Sequence, residues 1–97
     1  MITTKQRAYL RGLANKIDTI IQIGKSGIID NIEKLTDEAL EARELIKIKC
    51  LENSLLSPRT AAQELAEVCH AEIVQVIGSR IVLYRSAKKD PKIVLPE

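Results

Sequence analysis

The sequence predicts an α+β domain, an α/β sandwich in which a four-stranded mixed sheet carries packed helices in the order α-β-α-β-α-β-β. Three observations lead there. Apolar residues recur at helical spacing in three segments and at strand spacing, or in short β-branched runs, in four others. Helix-like and strand-like segments take turns along the chain until two strands follow one another around Gly78-Ser79. Finally, 97 residues with 45% apolar content support one core and not two independent ones, so residues 1–97 read as a single domain. Phe and Trp are absent and Tyr9 and Tyr84 are the only aromatics, so that core is aliphatic.

The first helix is expected over residues 4–16, with Thr3 and Thr4 as N-cap residues and Leu10, Leu13, Ala14 and Ile17 on one face. Arg7, Arg11 and Asn15 follow one another at intervals of four on another side and make an exposed basic stripe. Thr19 to Ile23 is short, β-branched and bounded by turn residues, hence a strand. Ile28, Ile32, Leu35 and Ala39 define a second helix over 28–42, whose outer surface is acidic through Asp30, Glu33, Asp37, Glu38 and Glu41. Leu45 to Leu51 alternates strictly, which sets Lys47 and Lys49 on one face and Ile46, Ile48 and Cys50 on the other.

Ser57-Pro58 is an N-cap followed by proline at the first helical position, and the apolar face that follows runs to about Ala71. Ile73 to Ile77 and Arg80 to Arg85 then form a hairpin with a two-residue turn. Such a turn pairs Ile77 with Arg80, Gln75 with Val82 and Ile73 with Tyr84. It puts Val74, Val76, Ile81 and Leu83 under helices and leaves Gln75, Arg80 and Tyr84 on the more open side. Residues 88–97, with Lys88, Lys89, Lys92, Pro91 and Pro96, are expected as an extended basic tail.

No apolar run approaches the roughly 18 residues of a membrane span, and residues 5–16 lack the uninterrupted apolar centre of a secretory signal, so no membrane role and a cytoplasmic location are expected. Cys50 and Cys69 are expected as buried thiols and not as a disulfide. Net charge is only +2, but it is segregated: residues 1–27 carry +4, 28–45 carry −4 and 73–97 carry +3. A nearly neutral molecule can thus own one basic and one acidic surface.

Gly24-Lys25-Ser26-Gly27 is the motif that most invites chemistry. A P-loop needs another glycine five residues before the Gly-Lys-Ser triplet, and that position is Thr19, so nucleotide hydrolysis is set aside. What remains is a G-x-x-G turn leading to a helix N-terminus, where backbone N–H groups and the helix dipole can hold a phosphate. A similar tetrapeptide grips the nucleic-acid backbone in KH domains. The alternative is a simple turn. His70 is the single histidine and stands beside Cys69 without the further ligands a metal needs or the third group a nucleophile needs, so no metal, cofactor, small-molecule substrate or catalytic residue is assigned. Its expected place is the C-terminal end of the third helix. The acidic helix admits a second functional reading, a protein-interaction module. The basic residues Arg7, Arg11, Lys25, Lys47, Lys49, Arg80 and Arg85 come from separate elements and are expected to converge on RNA, against the plainer reading of scattered solubilising charges.

Four blocks stand in a telling order: Thr4-Lys5-Gln6-Arg7 leading to Leu10-Arg11-Gly12-Leu13-Ala14, Ile23-Gly24-Lys25-Ser26-Gly27, Glu44-Leu45-Ile46-Lys47-Ile48-Lys49, and Val76-Ile77-Gly78-Ser79-Arg80-Ile81-Val82-Leu83-Tyr84-Arg85. Together they resemble the CRM domain, the chloroplast RNA splicing and ribosome maturation module, in its stand-alone bacterial YhbY family. The resemblance implies a fold whose later part is similar to the C-terminal domain of translation initiation factor three. It also implies RNA binding through the G-x-x-G turn and the basic surface around it, and association with ribosomal RNA in precursors of the large (50S) subunit during ribosome biogenesis. By that match Gly24 and Gly27 take the turn-glycine roles, with Lys25 and Ser26 between them.

Overall fold

The computed structural model describes residues 2–25 and 30–97. The elements are α1 (Thr4–Ala14), β1 (Thr19–Ile23), α2 (Asp30–Arg43), β2 (Leu45–Cys50), α3 (Pro58–Cys69), β3 (Glu72–Ile77) and β4 (Arg80–Tyr84). The strands form one sheet in the order β1-β2-β4-β3, with β1 and β2 parallel and the other pairs antiparallel, so the sheet is mixed as the sequence predicts.

Because alternate strand residues point to opposite faces, the sheet builds two cores. Ile46, Ile48, Ile81 and Leu83 face Leu40 of α2 and Ala61, Ala62, Leu65 and Cys69 of α3. Leu45, Val74, Val82 and Tyr84 face Leu10 and Ala14 of α1 on the other side. The result is a sandwich with α2 and α3 on one face and α1 across part of the other.

Local chemistry explains the helix ends. Thr3 caps α1 through its hydroxyl, which accepts from the Gln6 N–H at 3.1 Å, while the Gln6 side chain accepts from the Thr3 N–H at 2.9 Å. The helix closes at Ala14, two residues before the expected end, because Asn15 turns its N–H back to the carbonyls of Gly12 and Leu13. Ser57 caps α3 at Thr60 with Pro58 in the first turn. That helix stops at Cys69, since His70 takes a left-handed conformation (φ 55°) and ends it as a cap.

The hairpin departs from the expected register in one place. Ile77 pairs with Arg80 and Gln75 with Val82 around Gly78 at φ 56°, but an irregularity between Ile73 and Gln75 then sets Ile73 opposite Leu83 and Glu72 opposite Tyr84. The bulge reverses which face Val74 serves: it packs with Leu10 and Ala14, not with Val76, Ile81 and Leu83. Tyr84, expected on the open side, is 6% exposed for a related reason, as α1 covers that end of the face.

Cys50 and Cys69 are buried and unpaired. Burial pushes both thiols above their ordinary range, and for Cys69 the nearby charges of Asp37 and Glu33 act in the same direction. A thiol-reactive chromophore at pH 8 is therefore expected to label neither cysteine quickly in the folded protein and both after denaturation without reductant. Rapid labelling of the native protein would contradict the packing around α3.

Candidate nucleic-acid interface

The parallel pairing of β1 with β2 brings the ends of both strands, and the turn between β3 and β4, to one end of the sheet. The Leu51 N–H reaches the Ile23 carbonyl at 2.9 Å and the Cys50 N–H reaches Ser79 at 2.7 Å. Gly24 and Lys25 leave β1 at this end; Ser26 and Gly27 lie outside the described residues. A Cβ added at Gly24 would meet Leu51 Cδ1 at 3.7 Å and Asn53 Oδ1 at 3.9 Å, ordinary contacts, so packing does not demand glycine there.

Lys47 and Lys49 stand on the face that α1 covers only in part. The register places Lys49 between Gln22 and Arg80, and Lys47 between Thr19 and Val82, so Lys47, Lys49 and Arg80 are adjacent or diagonal neighbours on one face. Both lysines are half-buried and Arg80 is exposed. Among the described residues the only ion pairs are those of Arg85, which leaves no carboxylate within pairing distance of these three cations. Arg11 is exposed in the last turn of α1, on the same side of the sheet.

Two of the nominated arginines have other work. Arg7 is half-buried and its guanidinium donates to the Ile73 carbonyl, which ties α1 to the edge strand β3. Arg85 points to the opposite face of the sheet, because it follows Tyr84 by one residue. Its Nη1 donates to Asp37 Oδ1 at 2.6 Å and to the Cys69 carbonyl at 2.9 Å, and its Nη2 to the Asp37 carbonyl at 3.0 Å. With a side chain 14% exposed, Arg85 joins α2, α3 and β4 and is separate from the basic face. It therefore does not converge with Lys47, Lys49 and Arg80, contrary to what its charge in the sequence leads one to expect.

The sequence patterns gave no sign of the role that Glu41 and Glu44 take in the fold. Glu44 takes a left-handed conformation (φ 67°) just after α2, and its buried carboxylate accepts from the N–H groups of Ala87 (2.8 Å), Lys92 (2.7 Å) and Ile93 (2.8 Å). Burial alone would raise this carboxyl, but the converging backbone N–H groups outweigh it and hold it below its ordinary value. Glu41 accepts from the N–H groups of Lys88 and Lys89, which lowers its carboxyl as well. Residues 88–97 form no helix or strand, yet they are docked: Ile93 and Leu95 pack on the α1 core and the Pro96 carbonyl accepts from Gln6. The apolar run Ile93-Val94-Leu95 was the sequence signal for this. The acidic surface of α2 is accordingly not a plain solvated face, since Asp37 and Glu41 have partners within the fold.

Among the described residues no group of three or more His, Cys, Asp or Glu could hold a metal ion, and no helix is long and apolar enough to cross a membrane.

Comparison with known proteins places this geometry. Residues 2–85 match the CRS1/YhbY (CRM) domain. The Bacillus subtilis protein named "Probable RNA-binding protein YqeI" is 43% identical over 96 residues, covering 99% of this chain and 100% of its own. A Haemophilus influenzae protein named "RNA-binding protein" is 30% identical over 95 residues, covering 98% and 95%. The solution structure of the hypothetical protein SAV1595 from Staphylococcus aureus has 50% identity and superimposes with a TM-score of 0.82 over 99% of this chain and 100% of that one. With the match running from the capped first helix through the last strand, the chain belongs to the CRS1/YhbY (CRM) domain family.

Proposed function

We propose that this protein binds RNA without catalysing a reaction, and that in the cytoplasm it associates with ribosomal RNA in precursors of the 50S subunit and assists their assembly. The observation that carries the RNA reading is the set Lys47, Lys49 and Arg80, side by side on one face with no carboxylate paired to them among the described residues. Cations held close together without counter-charges attract a polyanion, and phosphates release bound counterions when they dock. The relatives named as RNA-binding proteins support the same reading.

Lys25 leaves the sheet at the end where Lys49 and Arg80 stand, so an RNA strand following the basic face would run toward the G-x-x-G turn. Glycine at position 24, where packing does not require it, fits the close approach of a phosphate backbone. With Tyr84 buried, no Phe or Trp, and Tyr9 the one exposed aromatic, base stacking contributes little and affinity rests mainly on backbone contacts. The protein-interaction reading is weaker than the sequence implied, because Asp37 and Glu41 are engaged within the fold.

The test is Lys47→Glu combined with Lys49→Glu, titrated against a large-subunit ribosomal RNA fragment at several salt concentrations. Affinity should fall at least about tenfold, and the slope of log affinity against log salt should shrink by about one to two contacts. A thermal melt checks that the fold survives. Wild-type affinity and slope in the folded double variant would remove the sheet face from the interface, and failure of the wild-type protein to cosediment with 50S precursors would remove the ribosomal assignment.

A further inference from the structure

On the open face of the sheet, Ile17, Asp18 and Thr19 from the α1–β1 connection meet Lys47 and Arg80 around a hollow of about 410 Å³. That volume is within the range that receives a small planar ligand. The lining divides by charge, with a carboxylate at one side and two cations, diagonal neighbours on β2 and β4, at another. Among the described residues Asp18 forms no ion pair, although both cations line the same hollow. The charges therefore stand apart across a gap. A carboxylate on a phosphate-binding face repels its ligand unless it meets a hydrogen-bond donor, and Asp18 sits where the basic face would otherwise be continuous.

We infer that this hollow receives one unstacked base of the bound RNA and selects guanine, with Asp18 as the specificity-determining residue; the inference rests on the RNA-binding reading above. Guanine is the base whose polarity divides in the same way. Its Watson–Crick edge offers two parallel donors, N1–H and the N2 amino group, which a carboxylate accepts together. Its O6 and N7 are acceptors on a different edge, the usual partners of Lys and Arg. Uracil has no amino donor, and adenine and cytosine offer only one donor group to a carboxylate. Ile17 supplies an apolar wall, and no aromatic side chain lines the hollow. Single-stranded segments and loops are the RNA forms whose base edges are free to be read in this way.

The probes are decamers of uridine, either uniform or with one central guanosine, adenosine or cytidine, titrated by fluorescence anisotropy at low salt. The wild-type protein should bind the guanosine decamer about tenfold more tightly than the uniform one, with adenosine and cytidine between. Asp18→Asn, at an exposed position, should melt like the wild type, lose the guanosine advantage and bind uniform uridine as well as before or better. Lys47→Ala should weaken binding to all four decamers and lower the salt slope. Equal affinities of the wild type for the guanosine and uniform decamers, or a guanosine preference that survives Asp18→Asn, would overturn the selection while leaving RNA binding in place. Absence of binding to every decamer and to ribosomal RNA would overturn the RNA-binding reading itself.

Discussion

Glu44→Gln is expected to lower stability by about 2–4 kcal/mol, since hydrogen bonds to a charged group are worth more than neutral ones and the loss leaves buried donors unmatched. In a domain of this size that is a fall of about 10–25 °C in melting temperature. Gln keeps the shape and backbone of Glu. However, Oε2 of Glu44 takes the Ala87 N–H and Oε1 takes those of Lys92 and Ile93, so either orientation of the amide turns an NH₂ group against an N–H. The tail should then detach and expose Ile93 and Leu95, which proteolysis within residues 88–97 would detect. The same carboxylate sets a pH dependence. Its folded value lies below the ordinary 4.5, so the stabilisation is complete above about pH 4.5 and is lost as pH falls through the folded value. Acid unfolding of the wild type should therefore steepen below pH 4.5, and Glu44→Gln should flatten that limb. A variant with wild-type stability and the same acid limb would show that the tail adds nothing to the fold.

Arg85→Ala is expected to cost about 2–4 kcal/mol, as the loss of a largely buried cation with three hydrogen bonds leaves the Cys69 carbonyl at the end of α3 without a donor and removes a second contact from the Asp37 carbonyl. Most of this comes from the contacts to the two backbone carbonyls, because the Asp37 carboxylate is 60% exposed and its ion pair is screened. Arg85→Lys should recover little, for a single ammonium cannot span Asp37 in the middle of α2 and Cys69 at the end of α3 as a planar guanidinium does. Urea melts measure the stability, and RNA titration below the melting point separates this role from binding. The folded variant should keep wild-type RNA affinity. A stable Arg85→Ala protein with weakened RNA binding would return Arg85 to the interface.

Element type and order were legible along the chain because periodicity, capping and turn chemistry act over a few residues. Thr3 as a cap, Ser57 with Pro58, and Gly78-Ser79 each carry their own reason and form in the structure as read. The pairing of Lys47 and Lys49 on one face needed only the alternation of β2. Where α1 lies was not legible, since an amphipathic helix seeks any apolar face, and neither was the bulge that turns Val74 toward it. Nor could charge alone sort the arginines. Arg7 and Arg85 are as basic as Arg80, and only packing gives the first two carbonyl partners while leaving Arg80 exposed. Glu44 is the clearest case of a residue decided by tertiary structure: in sequence it is one more acid at the end of an acidic helix. It becomes a tail anchor because three N–H groups from more than 40 residues away converge on it, and that convergence exists only once the chain has closed around the sheet.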